Sequence, residues 1–183
     1  AGIAYVTAKA GIPVVLLDRD VASAEKGKAH SDNLISDAIK KGRARPEEKE
    51  KLLGLITPTA DYAAIEGADL VIEAVFEDAE VKKGATGKAE AVLKPAAIFA
   101  SNTSTIPITS LAQNSKRPKN FIGIHFFSPV DRMMLVEIIM GKKTGDKALA
   151  TAIDYVRAIR KTPIVVNDTR GFYVNRCVLR YMS

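Results

Sequence analysis

Five short runs in this chain are predominantly apolar, without polar–apolar alternation, and rich in β-branched residues: 13–17, 69–76, 97–100, 121–126 and 163–166. A strand with one wet face alternates polar and apolar residues, so a run without alternation must be covered on both faces. Between these runs lie segments of helical periodicity at 2–10, 22–41, 46–55, 82–93, 108–113 and 146–159. Strands that alternate with helices build βαβ units, in which helices cover a parallel sheet. The pattern predicts an α/β fold with a doubly wound, mostly parallel sheet. A length of 183 residues suits one such domain, or one domain and a piece of another.

Two places depart from simple alternation. Residues 21–56 carry two helical patterns in succession, broken at Lys41-Gly42-Arg43-Ala44-Arg45-Pro46. Gly42 can take the left-handed conformation that ends a helix, and Pro46 suits the first turn of the next. This predicts an inserted helical hairpin. Near the other end, residues 167–171 form a turn-rich hinge, and 172–182 are apolar with helical spacing. The expected division is therefore 1–168 as a nucleotide-binding domain, with 169–183 as a hinge and the first helix of a second, absent domain. At the start, a helix over 2–10 with Ile3, Val6 and Ala10 on one face runs straight into a strand. In a doubly wound sheet such a helix follows a strand and a glycine-rich turn, and both are expected to be missing here.

Composition narrows the class of function. Hydrophobic residues make up 47% of the chain, too many for a disordered segment. Cys177 is the single cysteine, which rules out an internal disulfide or a multi-cysteine zinc site and fits a reducing compartment. No stretch approaches the roughly 20 apolar residues of a spanning helix. The net charge of +6 is compatible with a polyanionic partner. Aromatic residues do not interleave with Lys40, Lys41, Arg43 and Arg45, so a nucleic-acid platform is disfavoured. A solvated loop is the plain reading of those four, and contact with a phosphate-rich ligand the other.

Four groups of residues carry possible chemistry. Asp18 follows the strand Val14-Val15-Leu16-Leu17, where a dinucleotide fold places an acidic residue that accepts bonds from the adenosine ribose. Its alternative role is to cap the following helix. Glu77 and Lys82 fall where a buried strand opens into a helix, on the edge where open sheets bind ligands. Lys82 reads equally as a solvated helix lysine, and Glu73, inside the apolar run, as structural or functional. Ser101-Asn102-Thr103-Ser104-Thr105 follows the strand at 97–100, able to contact a ligand or to cap a helix. The sharpest group is His125, between Ile124 and Phe126, with Glu137 between Val136 and Ile138. A carboxylate on a neighbouring strand would fix the tautomer of a shielded histidine and sustain its basicity, making a base and its orienter. A satisfied core histidine is the competing reading.

Taken in order, AGIAYVTAKAGIPVVLLDRD, ADLVIEAVFED, SNTSTIPI, GIHFFSPV, MMLVEII and KTPIVVNDTRGFYVNR resemble the 3-hydroxyacyl-CoA dehydrogenase family. The resemblance is closest to the dehydrogenase part of multifunctional fatty-acid oxidation proteins. It spans essentially the whole chain and implies a Rossmann-type nucleotide domain. Departures are the missing G-x-G-x-x-G turn, Gly84 and Gly87 in a helix, and Met134 where related sequences often have Pro.

The resemblance implies a role for each matching residue. His125 would be the general base for the 3-hydroxyl, Glu137 its orienter, and Ser104 a contact to substrate and cofactor. Asn175 would hold the substrate carbonyl region. Asp18 would bind the adenosine ribose of NAD, and Val75, Phe76, Glu77, Lys82 and Ser128 would line the rest of the NAD site. The implied reaction is oxidation of (3S)-3-hydroxyacyl-CoA to 3-ketoacyl-CoA in fatty-acid β-oxidation. A homo-oligomer or multienzyme complex, in the bacterial cytosol or mitochondrial matrix, goes with it. Two other readings stay open: a non-catalytic nucleotide-binding or structural relative, and a dehydrogenase of another 3-hydroxy acid.

Overall fold

A computed structural model describes residues 1–181. The chain divides into two compact units: Ala1–Ala64 with Ser128–Met134, and Ile65–Phe127 with the residues from Leu135 onward.

The first unit holds α1 (Gly2–Lys9), β1 (Val14–Leu17), α2 (Val21–Lys40), α3 (Pro46–Gly54) and β2 (Ile56–Thr59). The hairpin of α2 and α3 forms as its turn residues predict. Asp20 caps α2, its carboxylate accepting from the Ser23 amide. At the other end Gly42 has φ +67°, and the amides of Gly42 and Arg43 turn back onto the carbonyls of Ile39 and Ala38. A left-handed residue there lets the chain satisfy two terminal carbonyls as it leaves the helix. Pro46 starts α3, and Glu48 reaches back to accept from the Arg45 amide at 2.6 Å. Lys40, Lys41, Arg43 and Arg45 are all exposed, as a solvated loop requires.

Two expectations for this unit are corrected. The buried residues of α1 are Ala4, Tyr5, Val6, Thr7 and Ala8, while Ala10 is exposed, so burial is not confined to an Ile3–Val6–Ala10 face. Strand β2 escaped the apolar-run criterion because Ile56-Thr57-Pro58-Thr59 contains one aliphatic residue and a proline. It pairs in parallel with β1, Val14 opposite Ile56 through Leu17 opposite Thr59. Proline lacks a donor and is tolerated where one side of a strand is unpaired.

The second unit holds β3 (Leu70–Glu73), α4 (Ala79–Val92), β4 (Ile98–Ser101), α5 (Ile108–Ala112), β5 (Phe121–Phe126), β6 (Leu135–Ile139), α6 (Asp146–Ala158), β7 (Thr162–Val166) and α7 (Val174–Tyr181). The described strands form a five-stranded sheet in the order β3-β4-β5-β6-β7. Neighbours pair in parallel except β5 with β6, which are antiparallel. The α/β class and mostly parallel pairing agree with the sequence pattern. The strands lie in two sheets, one in each unit, and the second sheet reverses direction once.

Boundaries moved where burial changed. Strand β3 stops at Glu73, not residue 76, because Val75 and Phe76 are 39% and 86% exposed. Helix α4 starts three residues before Lys82, at the Asp78 cap. It runs through Gly84 and Gly87, where an added Cβ would meet nothing, so packing does not require glycine at either position. Of the expected last helix, 172–173 precede α7 and Met182 lies outside the described residues.

The core of this unit centres on β4, β5 and β6. Ile122, Ile124, Val136, Ile138 and Ile139 are wholly shielded from water, and Phe99 stacks on Phe121 with centroids 5.4 Å apart. Each such aliphatic side chain contributes about 1.5–3 kcal/mol relative to exposure. Helix α6 supplies Ala148, Ala152 and Val156 at four-residue spacing and packs on β5, β6 and β7. Gly123 shares the face of β5 that bears His125, since side chains alternate along a strand. A Cβ there would lie 2.7 Å from Ile108 of α5 and 3.0 Å from Ile139. Gly123→Ala is therefore expected to destabilise the fold by about 1–3 kcal/mol, read from urea unfolding; a neutral result would mean that α5 can back away freely.

Candidate active site

The single reversal of the sheet sets the site. Because β5 and β6 are antiparallel, His125 stands directly opposite Glu137, twelve residues further along the chain. Opposed residues on adjacent strands project from the same face. His125 Nδ1 lies 2.7 Å from Glu137 Oε2, with both residues buried, His125 at 4% exposure and Glu137 at 0%. A carboxylate has only acceptors, so the shared proton sits on Nδ1. Neutral His125 then presents Nε2 as an unprotonated nitrogen, which is the condition for a general base. The rings of Phe127 and Phe172 stand 4.6 and 5.8 Å from the imidazole, shielding it from water.

The second oxygen of Glu137 is equally occupied. Oε1 accepts from the backbone amides of Tyr173 at 3.0 Å and Val174 at 2.8 Å. These are free donors at the start of α7, where a carboxylate is favoured by both the amides and the helix dipole. Glu137 thereby fixes the histidine and the helix that carries Asn175. Asn175 in turn donates from Nδ2 to the Ser104 carbonyl at 3.2 Å. Ser104 and Asn175, 71 residues apart in sequence, thus meet. Gly171, at φ +77°, makes the turn that delivers Phe172 and α7 to this place.

Ser104 is held on its other side by Glu77. Glu77 Oε1 accepts from the Thr103 hydroxyl at 2.6 Å, the Ser104 amide at 2.9 Å, the Thr105 amide at 3.0 Å and the Thr105 hydroxyl at 3.2 Å. Partial burial works against the charge, but these bonds and the nearby Lys82 ammonium outweigh it, and the carboxyl falls from the ordinary 4.5 to about 2. Glu77 is thus a clasp on the loop after β4. Lys82 is 1% exposed, which overturns its reading as a solvated helix lysine. Its ammonium lies 2.8 Å from Glu73 Oε1 and 3.4 Å from Glu77 Oε2. Glu73, whose role the sequence left open, is a buried and fully bonded carboxylate: it also accepts from the Val75 amide at 2.7 Å and the Ser101 hydroxyl at 2.8 Å.

Two capping expectations are settled by who holds each helix. Asp20 caps α2, while the exposed Asp18 carboxylate accepts from the adjacent Arg19 amide at 2.8 Å and caps no helix. The alternative role for Asp18 is excluded. The Ser/Thr residues after β4 do not cap α5 either. Asp168 does, accepting from the amides of Ile108 at 2.6 Å and Thr109 at 2.8 Å, and from the Thr109 hydroxyl. Asp168 was read only as hinge, and its bond to a helix sixty residues earlier has no local sequence signal. The Asn102 side-chain carbonyl accepts from the Phe126 amide and continues the pairing of β4 with β5. Asp18 and the exposed Ser128 lie in the first unit, while every other predicted site residue lies in the second. Among the described residues no cluster of His, Cys, Asp and Glu could hold a metal, and no helix is long and apolar enough to cross a membrane.

A family model for the NAD-binding domain of 3-hydroxyacyl-CoA dehydrogenase matches residues 1–169. The crystal structure of (S)-3-hydroxybutyryl-CoA dehydrogenase from Ralstonia eutropha is 35% identical, with a TM-score of 0.96 over 99% of this chain and 64% of that one. The 3-hydroxybutyryl-CoA dehydrogenase of Escherichia coli K12 is 33% identical, with a TM-score of 0.92 over 96% of this chain and 37% of that one. The dehydrogenase part of multifunctional enzyme 1 from C. elegans is 30% identical, with a TM-score of 0.80 over 90% and 38%. The chain spans 64% of the length of the Ralstonia protein, less than two thirds.

The depressed pKa of Glu77 makes the stability of the fold depend on pH in the acid range. A depressed carboxyl stabilises the folded state fully above its unfolded value near 4.5, and that contribution disappears as pH falls towards about 2. Compared with Glu77→Gln, the parent protein should lose extra stability within that window and nowhere above it. Urea midpoints measured across the window check this; parallel pH profiles for the two proteins would show that Glu77 is not clasping the loop.

Proposed function

The chain belongs to the NAD-binding domain family of 3-hydroxyacyl-CoA dehydrogenases, and from that premise we propose that it carries the catalytic histidine and cofactor site of an NAD-dependent oxidation of (3S)-3-hydroxyacyl-CoA to 3-ketoacyl-CoA. The observation that carries the proposal is the buried 2.7 Å contact between His125 Nδ1 and Glu137. An imidazole locked with Nε2 free is built to accept a proton.

When bound, NAD supplies the hydride acceptor for the C3 hydrogen. His125 Nε2 takes the proton of the 3-hydroxyl as the C3–O bond gains carbonyl character. Glu137 keeps the ring in one orientation and stabilises the imidazolium that results. Phe127 and Phe172 exclude water from the imidazole, which strengthens that charge pairing. Ser104, whose backbone is held by Glu77 and Asn175, would donate its hydroxyl to the substrate oxygen and touch the cofactor. Asn175 would meet the thioester carbonyl region.

The residues present fit the cofactor. Asp18 is exposed, acidic and free of helix capping, as a ligand for the ribose diol of NAD must be. Its charge disfavours a 2′-phosphate and so NADP. In the second unit Val75 and Phe76 offer exposed apolar surface and with Glu77 would contact the cofactor; in the first, the resemblance gives Ser128 such a contact. Lys82, with its ammonium between two carboxylates, would act on that path through Glu77. Residues 1–168 form the NAD-binding domain in this reading, and 169–183 lead into a further helical domain. A role in fatty-acid β-oxidation goes with it, in the cytosol or mitochondrial matrix, within a homo-oligomer or multienzyme complex. The likeness to part of a multifunctional enzyme supports the last point.

The deciding assay is NADH oxidation driven by acetoacetyl-CoA in the full-length protein. His125→Gln should lower kcat by about 100- to 10,000-fold and leave NADH affinity near normal. Turnover that survives the substitution would remove His125 as the base. NADH binding without turnover in the parent protein would favour a non-catalytic relative, and turnover of the free acid but not the thioester would point to a different 3-hydroxy acid.

A further inference from the structure

The buried ion pair of Glu73 and Lys82 is not consumed by the chemistry above, yet it sits beneath the loops that carry it. Both residues are almost wholly shielded, at 6% and 1% exposure. A buried ion pair is a weak source of stability, since well-packed apolar residues of similar size often do as well or better. Its presence therefore calls for a task that apolar residues cannot perform.

The geometry supplies one. Strands β3 and β4 end side by side, with Glu73 in register with Ser101. One loop leaves Glu73 and carries Glu77; the other leaves Ser101 and carries Ser104. Glu73 bonds to both departures, to Ser101 through Oε2 and to the Val75 amide and Lys82 ammonium through Oε1. The ammonium is directed in turn at Glu77 Oε2, 3.4 Å away, and at the Val75 carbonyl. Glu77 then holds the Ser104 and Thr105 amides through its other oxygen. A continuous path of charge-assisted bonds runs from the sheet edge to Ser104, and every bond in it lies within the second unit.

We propose that Glu73 is a positioning residue for Ser104, acting through Lys82 and Glu77. Glu73 pins the ammonium in the interior. The pinned ammonium fixes where the Glu77 carboxylate can sit, and Glu77 fixes the loop. Without Glu73, Glu77 is the one carboxylate left beside the ammonium, which draws it away from the Ser104 and Thr105 amides. Apolar replacements would fill the space but orient nothing.

The test compares Glu73→Gln, Lys82→Met and the double variant in the full-length protein. Three quantities are read: melting temperature, amide hydrogen exchange at Ser104 and Thr105, and kcat with acetoacetyl-CoA and NADH. In Glu73→Gln the two amides should exchange about tenfold faster or more, with kcat falling by a comparable factor. The double variant carries no unpaired buried charge, so its melting temperature should recover. Its exchange protection and kcat should match those of Lys82→Met and stay below the parent's, because Glu73 acts only through the ammonium. Recovery of exchange and kcat together with melting temperature would reduce the pair to a structural role and overturn the proposal. Losses that multiply would also overturn it, by separating Glu73 from Lys82. If Glu73→Gln does not fold, Lys82→Met and the double variant still decide the matter through amide exchange. The kinetic arm rests on the dehydrogenase reading, whereas amide exchange does not. A parent protein that fails to turn over would therefore count against that reading while the positioning of Ser104 is still measured.

Discussion

A carboxylate with no exposure to water can stay charged in a fold only if both its oxygens are spoken for. Glu137 meets that condition with a histidine on one side and two backbone amides on the other. The two sets of partners come from distant parts of the chain, so one side chain ties His125 to the segment that follows the sheet. Much else in the second unit follows. The antiparallel pairing of β5 and β6 has to place residue 137 opposite 125, α7 has to begin at Val174, and Gly171 has to turn the chain towards it. A site assembled this way is stiff because each group that orients another is itself held.

The same economy recurs around the β3–β4 edge. Glu73, Glu77 and Asp168 each spend a carboxylate on a backbone segment that regular hydrogen bonding does not reach: the turn after β3, the loop after β4 and the start of α5. Acidic side chains suit the purpose because amide donors are left over wherever a strand or helix begins or ends. Lys82 supplies the compensating positive charge from inside α4. The loop bearing Ser104 is thereby built as firmly as the strands on which it rests. Positioning to fractions of an ångström is what hydride and proton transfer between bound partners demands.

Membership of the 3-hydroxyacyl-CoA dehydrogenase family agrees with this construction. The family match rests on likeness over residues 1–169. The hydrogen-bond network fixes which ring nitrogen of His125 faces the buried carboxylate.

Much of the α/β class was legible in the sequence, because strands covered on both faces leave unbroken apolar runs and helix ends leave Gly and Pro. Asp18, His125 and Glu137 were legible too, since charged residues amid aliphatic ones, or at the end of a strand, have few roles. Strand β2 was not, as one isoleucine and a proline carry no apolar pattern. Nor was Lys82, whose helix position gives no hint that its ammonium is buried. The twin duties of Glu137, the capping of α5 by Asp168 and the clasp of Glu77 on Ser104 were equally hidden. These bonds join residues 12 to 60 positions apart. Local propensity determines which residues become helix or strand, because it depends on neighbours a few positions away. Partners for buried charges are decided by which ends of the chain the sheet brings together, and only the tertiary structure holds that information.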